Sequence, residues 1–271
     1  MKKEKIIAIT MLSVLTLTLA GTINAYDANY TITDYMCSAP PVIDGQFTSD
    51  DEWIASAGVP FGTNGIFRNQ WLFSTSVFEN QLIETADNTT DAEDYWEICY
   101  DGTADSGAAP QAADFRVVVQ GHGESATVTW YQGSGTGWTQ ITSPSSASFS
   151  QAQSLSTSAL ISEPHYMLEL TIDKQSTELG GAQILDQRYA IRFAYNDAHE
   201  GGHGLQVWPP ESSRDVPNGW GYVTYEQSAN PNPDIPEGFG VGVVIGLSCL
   251  AVVAGTVLLR KKPLIQPVAN L

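Results

Sequence analysis

Short segments of alternating or β-branched residues, separated by clusters of Gly, Pro, Asn and Ser, recur through the middle of this 271-residue chain. In 189-YAIRFAY-195, every second residue from Tyr189 is aromatic or large and apolar, and the residues between them are Ala, Arg and Ala. A period of two is that of a half-buried strand. Similar segments lie at 71–78, 95–100, 114–120, 126–131, 166–172 and 221–225, whereas 132–154 predicts loops around an irregular hairpin. The sequence therefore predicts an all-β fold, an antiparallel β-sandwich of jelly-roll or immunoglobulin-like type.

Two apolar segments bracket this region. Residues 1–25 have three early lysines, an apolar run and a small-residue end, which is the layout of a secretory signal peptide; an uncleaved anchor is the alternative. Residues 239–259 are 21 residues without a charge, and about 20 are needed to cross a bilayer. The basic cluster 260-RKK-262 predicts that 260–271 is a cytoplasmic tail. We therefore expect the extracellular face of the cell membrane, one C-terminal transmembrane helix and an N-terminus outside.

The exported part divides into an N-terminal lead at 26–36, one domain at 37–227 and a Pro-rich stalk at 228–238. About 200 residues suffice for one domain with its own hydrophobic core. Asn29 and Asn88 each begin an Asn-x-Thr acceptor, which predicts a glycoprotein.

The charge balance narrows the choice of partners. The chain has 12 basic and 30 acidic residues. Without 1–25 and 260–271, six basic and 29 acidic residues remain, a net charge of −23. Such a surface repels phosphate backbones, which argues against nucleic acid as a partner, and it suits cation binding or a salty environment.

The exported domain contains two cysteines, Cys37 and Cys99, because Cys249 falls within the predicted membrane span. The predicted compartment permits a disulfide, and pairing is the economical interpretation. The sequence by itself does not establish the pair.

Residues 199-HEGGH-203 match the zinc-protease pattern H-E-x-x-H. That pattern needs a helix, on which His199 and His203 would face one metal. Both intervening residues are glycine, each of which costs a helix about 1 kcal/mol relative to Ala. A catalytic zinc also needs a third ligand, and His122 and His165 are not at a zinc-protease spacing. The sequence predicts a surface turn and no protease.

Four segments in order resemble family 9 carbohydrate-binding modules. They are 40-PPVIDGQFTSDDEW-53, 94-DYWEICYDG-102, 166-YMLELTID-173 and 189–225, the last with an Asn-Asp turn and a Trp-Gly strand. The resemblance covers most of residues 40–225 and implies a β-sandwich that binds a polysaccharide or glycan. The same architecture underlies DOMON-type domains, some of which bind haem b, and the patterns do not separate the two.

Family 9 modules that bind sugars hold a sugar end between two tryptophans, and this chain has seven tryptophans. Three lie in apolar strand patterns and are predicted to be core: Trp53, Trp96 and Trp220. Four lie at strand ends or among Gly and Pro: Trp71, Trp130, Trp138 and Trp208. Of these, Trp138, Trp71 and Trp208, in that order, are predicted to stack on a sugar ring, with a packed tryptophan as the alternative for each.

The segment 101-DGTADSGAAPQAAD-114 places Asp101, Asp105 and Asp114 around a Gly-rich turn. Calcium takes six to eight oxygen ligands in flexible geometry, so these carboxylates are a candidate calcium site. The resemblance agrees, since family 9 modules often carry structural calcium. A polar turn on an acidic surface is the alternative.

The predicted function is a non-enzymatic, surface-anchored carbohydrate-binding module that calcium stabilises. A glycosidase would need a paired set of carboxyl groups, and no pair stands out. The alternatives are a haem b electron-transfer domain of the DOMON type and an adhesion or structural domain. Axial ligands for haem would come from Met167, His165, His122, His199 or His203, although Met167 lies at an apolar strand position that favours core packing.

The tail 236-IPEGFGVGV-244, with its following apolar run and basic cluster, resembles archaeal surface-protein sorting tails of the PGF type. In those proteins the tail is removed and replaced by a lipid. Glu237 is an insertion relative to that pattern. A plain membrane span and a processed, lipidated tail both remain open, and either would tether the domain to the outer face of the cell.

Overall fold

The computed structural model describes residues 26–227, apart from positions 28, 50, 54, 75, 159–160 and 180–187. The predicted signal peptide, stalk, membrane span and tail lie outside the described residues. No helix within the described part of the chain has the length and apolarity required of a membrane span.

The described chain is all-β, as predicted, and its strands form one curled sheet. The strands are β1 (Thr31–Met36), β2 (Val59–Phe61), β3 (Gly65–Phe73), β4 (Val77–Glu84), β5 (Tyr95–Asp101), β6 (Asp114–Gln120), β7 (Thr127–Gly133), β8 (Trp138–Ile141), β9 (Phe149–Ser156), β10 (His165–Asp173), β11 (Arg188–Asp197), β12 (Gly204–Trp208) and β13 (Gly221–Glu226). Their order across the sheet is β8-β7-β6-β5-β11-β13-β1-β3-β4-β10-β9, with β12 paired to β11 and β2 to β3. Two short 3-10 helices lie at Gly123–Ser125 and Pro217–Gly219.

The sheet is mixed, which corrects the prediction of a purely antiparallel fold. β1 runs parallel to both of its neighbours, β13 and β3, and the remaining described pairs are antiparallel. Alternation along a strand reports which face is buried and carries no information about the direction of the neighbouring strand. The direction of β1 was therefore outside what the pattern could predict.

Curling of the sheet brings its two halves face to face as a sandwich. β7 and β9 lie near opposite ends of the strand order, yet Trp130 and Phe149 pack edge to face with ring centroids 5.0 Å apart. Deeper in the core, Phe67 stacks on Phe193 with centroids 4.0 Å apart. Burial of such aromatic surface contributes about 25 cal/mol per Å² and provides the main driving force for closure.

Most predicted strands are present, with one clear error. The segments at 95–100, 114–120, 126–131, 166–172, 189–195 and 221–225 correspond to β5, β6, β7, β10, β11 and β13. The segment at 71–78 is not one strand, because β3 ends at Phe73 and antiparallel β4 begins at Val77, and between them the Ser74 amide donates to the Ser76 carbonyl at 2.9 Å. Both arms of this hairpin carry apolar residues, and 74-STS-76 contains neither Gly nor Pro, so the sequence gives no strong signal of a turn between them.

Two of the segments that resemble family 9 modules, 40–53 and 166–173, meet at Glu169 of β10. Its carboxylate accepts the amides of Asp44 and Gly45 at 2.9 Å each and the indole N–H of Trp53 at 3.0 Å. Gly45 has a φ of +80°, and a Cβ there would lie 2.5 Å from the carbonyl carbon of Gln153. The Ile-Asp-Gly turn therefore needs its glycine to dock on β10.

The tryptophan core is larger than predicted. Trp53, Trp96 and Trp220 are fully buried as expected. Trp130, which the sequence placed at a strand end, is also fully buried, because it faces inward across the sandwich.

The predicted Cys37–Cys99 disulfide is absent, and both cysteines are free, buried thiols. Cys99 lies in β5 and Cys37 directly follows β1, which is three strands away in the order β5-β11-β13-β1. Strand spacings of about 4.8 Å place the two near 14 Å apart, whereas a disulfide needs Cα atoms within about 7 Å. Cys37 instead donates its thiol proton to the Trp71 carbonyl, with an S–O distance of 3.3 Å.

Candidate functional site

A polar surface covers the outer side of the β8-β7-β6-β5-β11 half of the sheet. Side chains alternate along β5, so that Trp96 and Ile98 enter the core while Glu97 points to the outer side. In register, Arg116 of β6 and Arg192 of β11 lie opposite Cys99 on either side of β5, and they share the face of Glu97. The alternation of three adjacent strands thus places two arginines and a glutamate together.

Glu97 is the centre of this surface. It is 2% exposed and lies 2.5 Å from the Arg192 guanidinium, 3.5 Å from Arg214 and 3.6 Å from Arg116. A buried carboxylate is costly unless it is paired, and here one carboxylate serves three guanidinium groups. Arg214 also lies 3.9 Å from the exposed Asp215. The local net charge of these side chains is therefore positive, whereas the net charge of the whole chain is negative.

Trp138 of β8 lies at the edge of this surface, half-buried. Its ring is parallel to that of Trp220, with centroids 6.3 Å apart. The Arg116 guanidinium lies 5.6 Å from the Trp138 centroid and 4.0 Å from that of Tyr131. Aromatic rings beside cations are electrostatically favourable, and they fix the planes of both groups. We call Glu97, Arg116, Trp138, Arg192 and Arg214 the arginine–tryptophan face.

The segment between β12 and β13 holds this face in place through its backbone carbonyls. The carbonyl of Ser212 accepts from the Arg192 Nε at 3.1 Å, and that of Ser213 accepts from the Trp220 indole at 2.8 Å. The Arg214 carbonyl accepts from the Trp138 indole at 3.3 Å. The segment between β12 and β13 also covers the outer side of β11, where Ala190 packs against Trp220. The strand at 189–195, which was predicted to be half-buried, is therefore buried on both faces.

The other two predicted sugar-stacking tryptophans lie elsewhere. Trp208 is 5% exposed and stacks on Phe193 in the core with centroids 5.0 Å apart, so its predicted surface role is wrong. Trp71 is half-buried, donates to the Glu226 carbonyl at 3.0 Å and packs against Tyr225. It shares the inward face of β3 with Phe67, whereas Trp138 lies on the outer face with Arg116. Trp138 and Trp71 therefore do not form one binding surface.

The three predicted calcium ligands come together where β5 ends and β6 begins. Asp101 and Asp114 are paired in register, and Asp105 lies in the turn between the strands. One carboxylate oxygen of each lies within 4.8 Å of the others. Asp114 is fully buried, and its Oδ1 has no hydrogen-bond partner among the described residues. Burial and repulsion from Asp101 raise the pKa of Asp114 to about 8.

This donor set fits a hard cation. All three ligands are oxygens, and one buried oxygen lacks a partner that a bound ion would supply. Burial likewise raises the pKa of Asp101, although it accepts the Ser106 amide at 2.8 Å. A bound Ca²⁺ would reverse this balance, because it favours the ionised carboxylates.

Two of the residues considered as haem ligands, Met167 and His165, are already in contact with other protein groups. Met167 is fully buried in a cluster with Phe47, Trp53 and Leu82. His165 lies between the Glu163 carbonyl at 2.8 Å from Nδ1 and the Glu84 carboxylate at 3.3 Å from Nε2. Protein groups already surround both side chains.

The 199-HEGGH-203 segment is a turn between β11 and β12, with the Gly202 amide donating to the His199 carbonyl. The Asp197 carboxylate accepts the amides of His199 and His203, at 3.1 Å and 2.6 Å. Both histidine side chains are exposed. The helix that a zinc-protease motif requires is not formed by these residues.

Sequence reasoning missed Glu97, Arg116, Arg192 and Arg214. A signal was present for two of them, because Arg116 and Arg192 interrupt otherwise apolar strand segments. Glu97 lies within the segment 94–102 that resembles family 9 modules. Arg214 carried no signal, since it reaches the face through a loop that is distant in sequence. The predicted glycosylation residues, Asn29 and Asn88, are exposed.

No protein-family model matches the chain, and no curated protein matches it. Similar solved structures include a family 9 carbohydrate-binding module from Caldicellulosiruptor kristjanssonii in complex with cellotriose, with 16% identity over 76% of this chain and 98% of that chain, and a TM-score of 0.46. A family 9 module from the same organism in complex with glucose has 16% identity over 74% and 100%, and a TM-score of 0.45. A candidate carbohydrate-binding protein from Bacteroides uniformis has 11% identity over 73% and 99%, and a TM-score of 0.48. At these values the function has to be inferred from the chain's own residues.

Proposed function

We propose that this chain is a saccharide-binding domain and that the arginine–tryptophan face is its binding surface. The observation that supports this most is the half-buried Trp138 beside guanidinium groups held in fixed positions. A saccharide needs both elements, since its ring C–H face stacks on an indole and its hydroxyls need directional hydrogen-bond donors.

The guanidinium groups are suited to donate hydrogen bonds to saccharide hydroxyls because their orientation is fixed before a ligand binds. Glu97 pairs with all three arginines, and the Ser212 carbonyl fixes the Nε of Arg192. A side chain that is already ordered loses less entropy when a ligand binds. The Arg214 side chain, 49% exposed, is the most accessible donor to a ligand approaching from solvent.

We further propose that Asp101, Asp105 and Asp114 bind a structural Ca²⁺. Asp101 is two residues beyond Cys99 on β5, and Asp114 is two residues before Arg116 on β6. A cation there would tie together the ends of the two strands that carry Glu97 and Arg116. Calcium would thereby stabilise the binding surface without being one of its ligand contacts.

The proposal places this domain on the outside of the cell. Residues 1–25 would direct export, and residues 239–259 would tether the domain to the membrane, either as a span or as a lipid-replaced tail. A surface-bound saccharide-binding domain would hold its cell against a polysaccharide or glycan.

The test is a glycan array probed with the purified full-length chain, with and without millimolar Ca²⁺. We expect binding of a defined saccharide class that Trp138→Ala weakens by about tenfold or more, which corresponds to about 1.4 kcal/mol of lost stacking. Trp71→Ala is the matched control, because Trp71 is also half-buried but lies on the inward face.

Two outcomes would count against the proposal. Absence of saccharide binding by a folded, calcium-loaded chain would favour the adhesion or structural alternative. Equal loss of binding in the Trp71 and Trp138 variants would show a general effect on stability and would remove the assignment of the surface.

A further inference from the structure

A second group of metal-binding side chains lies at the other end of β5. Asp87 and Asp94 belong to the loop between β4 and β5, and His122 follows β6. One donor atom of each residue lies within 4.8 Å of the others, and all three side chains are buried. The site is separate from the three aspartates around Asp101, since the seven residues of β5 extend for about 23 Å.

The three side chains are held in position by the protein. His122 Nε2 lies 2.8 Å from Asp94 Oδ2, and the imidazole stacks on Tyr166 with centroids 3.7 Å apart. The other oxygen of Asp94 accepts the Ala198 amide at 2.7 Å. Asp87 Oδ1 accepts the Thr89 amide at 2.7 Å. These bonds orient the donors and leave lone pairs on both carboxylates, as in sites whose outer contacts position metal ligands.

Acidic side chains outnumber basic ones around this group. Asp197, 4% exposed, is a third buried carboxyl group, and the Ala198 amide next to it in the chain donates to Asp94. The Tyr195 hydroxyl donates to Asp87. Burying several carboxyl groups together is costly, and a bound metal ion would offset that cost.

We infer that Asp87, Asp94 and His122 bind a divalent transition-metal ion of the Zn²⁺ type. One imidazole nitrogen and two carboxylate oxygens suit zinc and its neighbours, whereas calcium takes oxygen ligands. The metal would enter a buried pocket whose donor groups the protein already holds in place.

The site also gives 199-HEGGH-203 a different role. Asp94 accepts the Ala198 amide, and Asp197 accepts the amides of His199 and His203. The turn therefore contacts the proposed site through its backbone. Its histidine side chains are exposed, and His199 Nδ1 lies 3.0 Å from Asp91 Oδ2. Metal binding at Asp87, Asp94 and His122 would order this turn without using the histidines of the motif as ligands.

The experiment uses the full-length chain, stripped with a chelator and returned to millimolar Ca²⁺ so that oxygen-only sites are occupied. Zn²⁺ is titrated by calorimetry into wild type, into His122→Gln and into the double variant His199→Gln/His203→Gln. We expect one saturable Zn²⁺ site in wild type, weakened at least tenfold in His122→Gln and retained in the double variant.

A measurement on the wild type alone covers the case in which His122→Gln does not fold. Co²⁺ should give visible absorption bands without the intense near-ultraviolet band of a thiolate ligand. No saturable Zn²⁺ binding, unchanged affinity in folded His122→Gln, or a thiolate band would overturn the inference. Loss of binding in the double variant alone would assign the metal to the HEGGH turn instead and would equally overturn it.

Discussion

Glu97 and Asp114 lie on the same outer face of neighbouring strands, yet their charge surroundings are opposite. Glu97 lies within 4 Å of three guanidinium groups, those of Arg116, Arg192 and Arg214. Asp114 faces Asp101 and Asp105, and burial with this repulsion raises its pKa to about 8. At the residue scale, partners a few ångströms away decide whether a carboxylate stabilises the fold or needs a cation to do so.

The first prediction concerns Asp114 and pH. An acid whose pKa is raised by folding contributes stability at low pH, and this contribution is lost as pH rises through the folded value. Without calcium, we expect the free energy of unfolding to fall as the pH rises from 3.8, the ordinary pKa of an aspartate, to about 8, the raised pKa of Asp114. Calcium should oppose this fall. Glu169, whose pKa burial raises to about 7, adds a smaller effect of the same sign.

Asp114→Asn should therefore reduce the pH dependence and abolish the calcium effect. The measurement is the thermal midpoint of the full-length chain across this pH range, with calcium and with a chelator. The exposed Asp51→Asn is the control. A calcium-induced rise of the midpoint in Asp114→Asn equal to that of wild type would contradict the proposed site.

At the scale of elements, the N-terminal turn and β10 are joined by one carboxylate. Glu169 accepts two backbone amides of the turn and the indole of Trp53. The turn fits because Gly45 has a positive φ and approaches the backbone of Gln153 closely. A local sequence signature thus acts through a contact 124 residues away along the chain.

The second prediction is that Gly45→Ala destabilises the domain by more than about 1 kcal/mol. The added Cβ would meet the Gln153 backbone at 2.5 Å, in a backbone conformation that disfavours side chains. Gly137→Ala is the matched control, because nothing lies within 4 Å of a Cβ there. Chemical denaturation of both variants measures the difference, and equal stabilities would refute the docking role of this turn.

The third prediction follows from the strand order. Since β11 and β13 separate Cys99 from β1, both thiols should be unpaired and protected. Burial raises the pKa of Cys37 to about 11 and raises that of Cys99, so neither is a reactive thiolate at neutral pH. Alkylation followed by mass spectrometry should label both cysteines in denaturant and neither in native buffer. A Cys37–Cys99 cross-linked peptide would contradict the strand order.

At the scale of the whole molecule, charge is distributed unevenly. Residues 26–259 have a net charge of −23, yet three of their six basic residues surround Glu97. Distant negative charges oppose the approach of an anionic ligand, while the guanidinium groups attract it at short range. Salt screens the distant charges more than partly buried pairs, so the short-range attraction dominates in a salty environment.

The fourth prediction is that saccharides carrying carboxylates bind about tenfold more tightly than neutral ones of the same linkage, because guanidinium–carboxylate hydrogen bonds are the stronger kind. The preference should persist at high salt. Calorimetry of matched uronic-acid and neutral oligosaccharides measures it. Arg214→Gln should reduce the preference, and the exposed Arg188→Gln should not. Equal affinities for the two classes would refute the charge selectivity and leave saccharide binding in place.

The all-β class, the positions of six of the thirteen strands (β5, β6, β7, β10, β11 and β13) and the fully buried Trp53, Trp96 and Trp220 could be predicted from the sequence, because alternation and burial are local properties of a strand. The grouping of Asp101, Asp105 and Asp114 could also be predicted, since one turn connects them. The direction of β1, the burial of Trp208 and the separation of Cys37 from Cys99 depend on which strands become neighbours. The arginine–tryptophan face likewise required the tertiary structure, since its residues come from β5, β6, β8, β11 and a loop that only folding brings together.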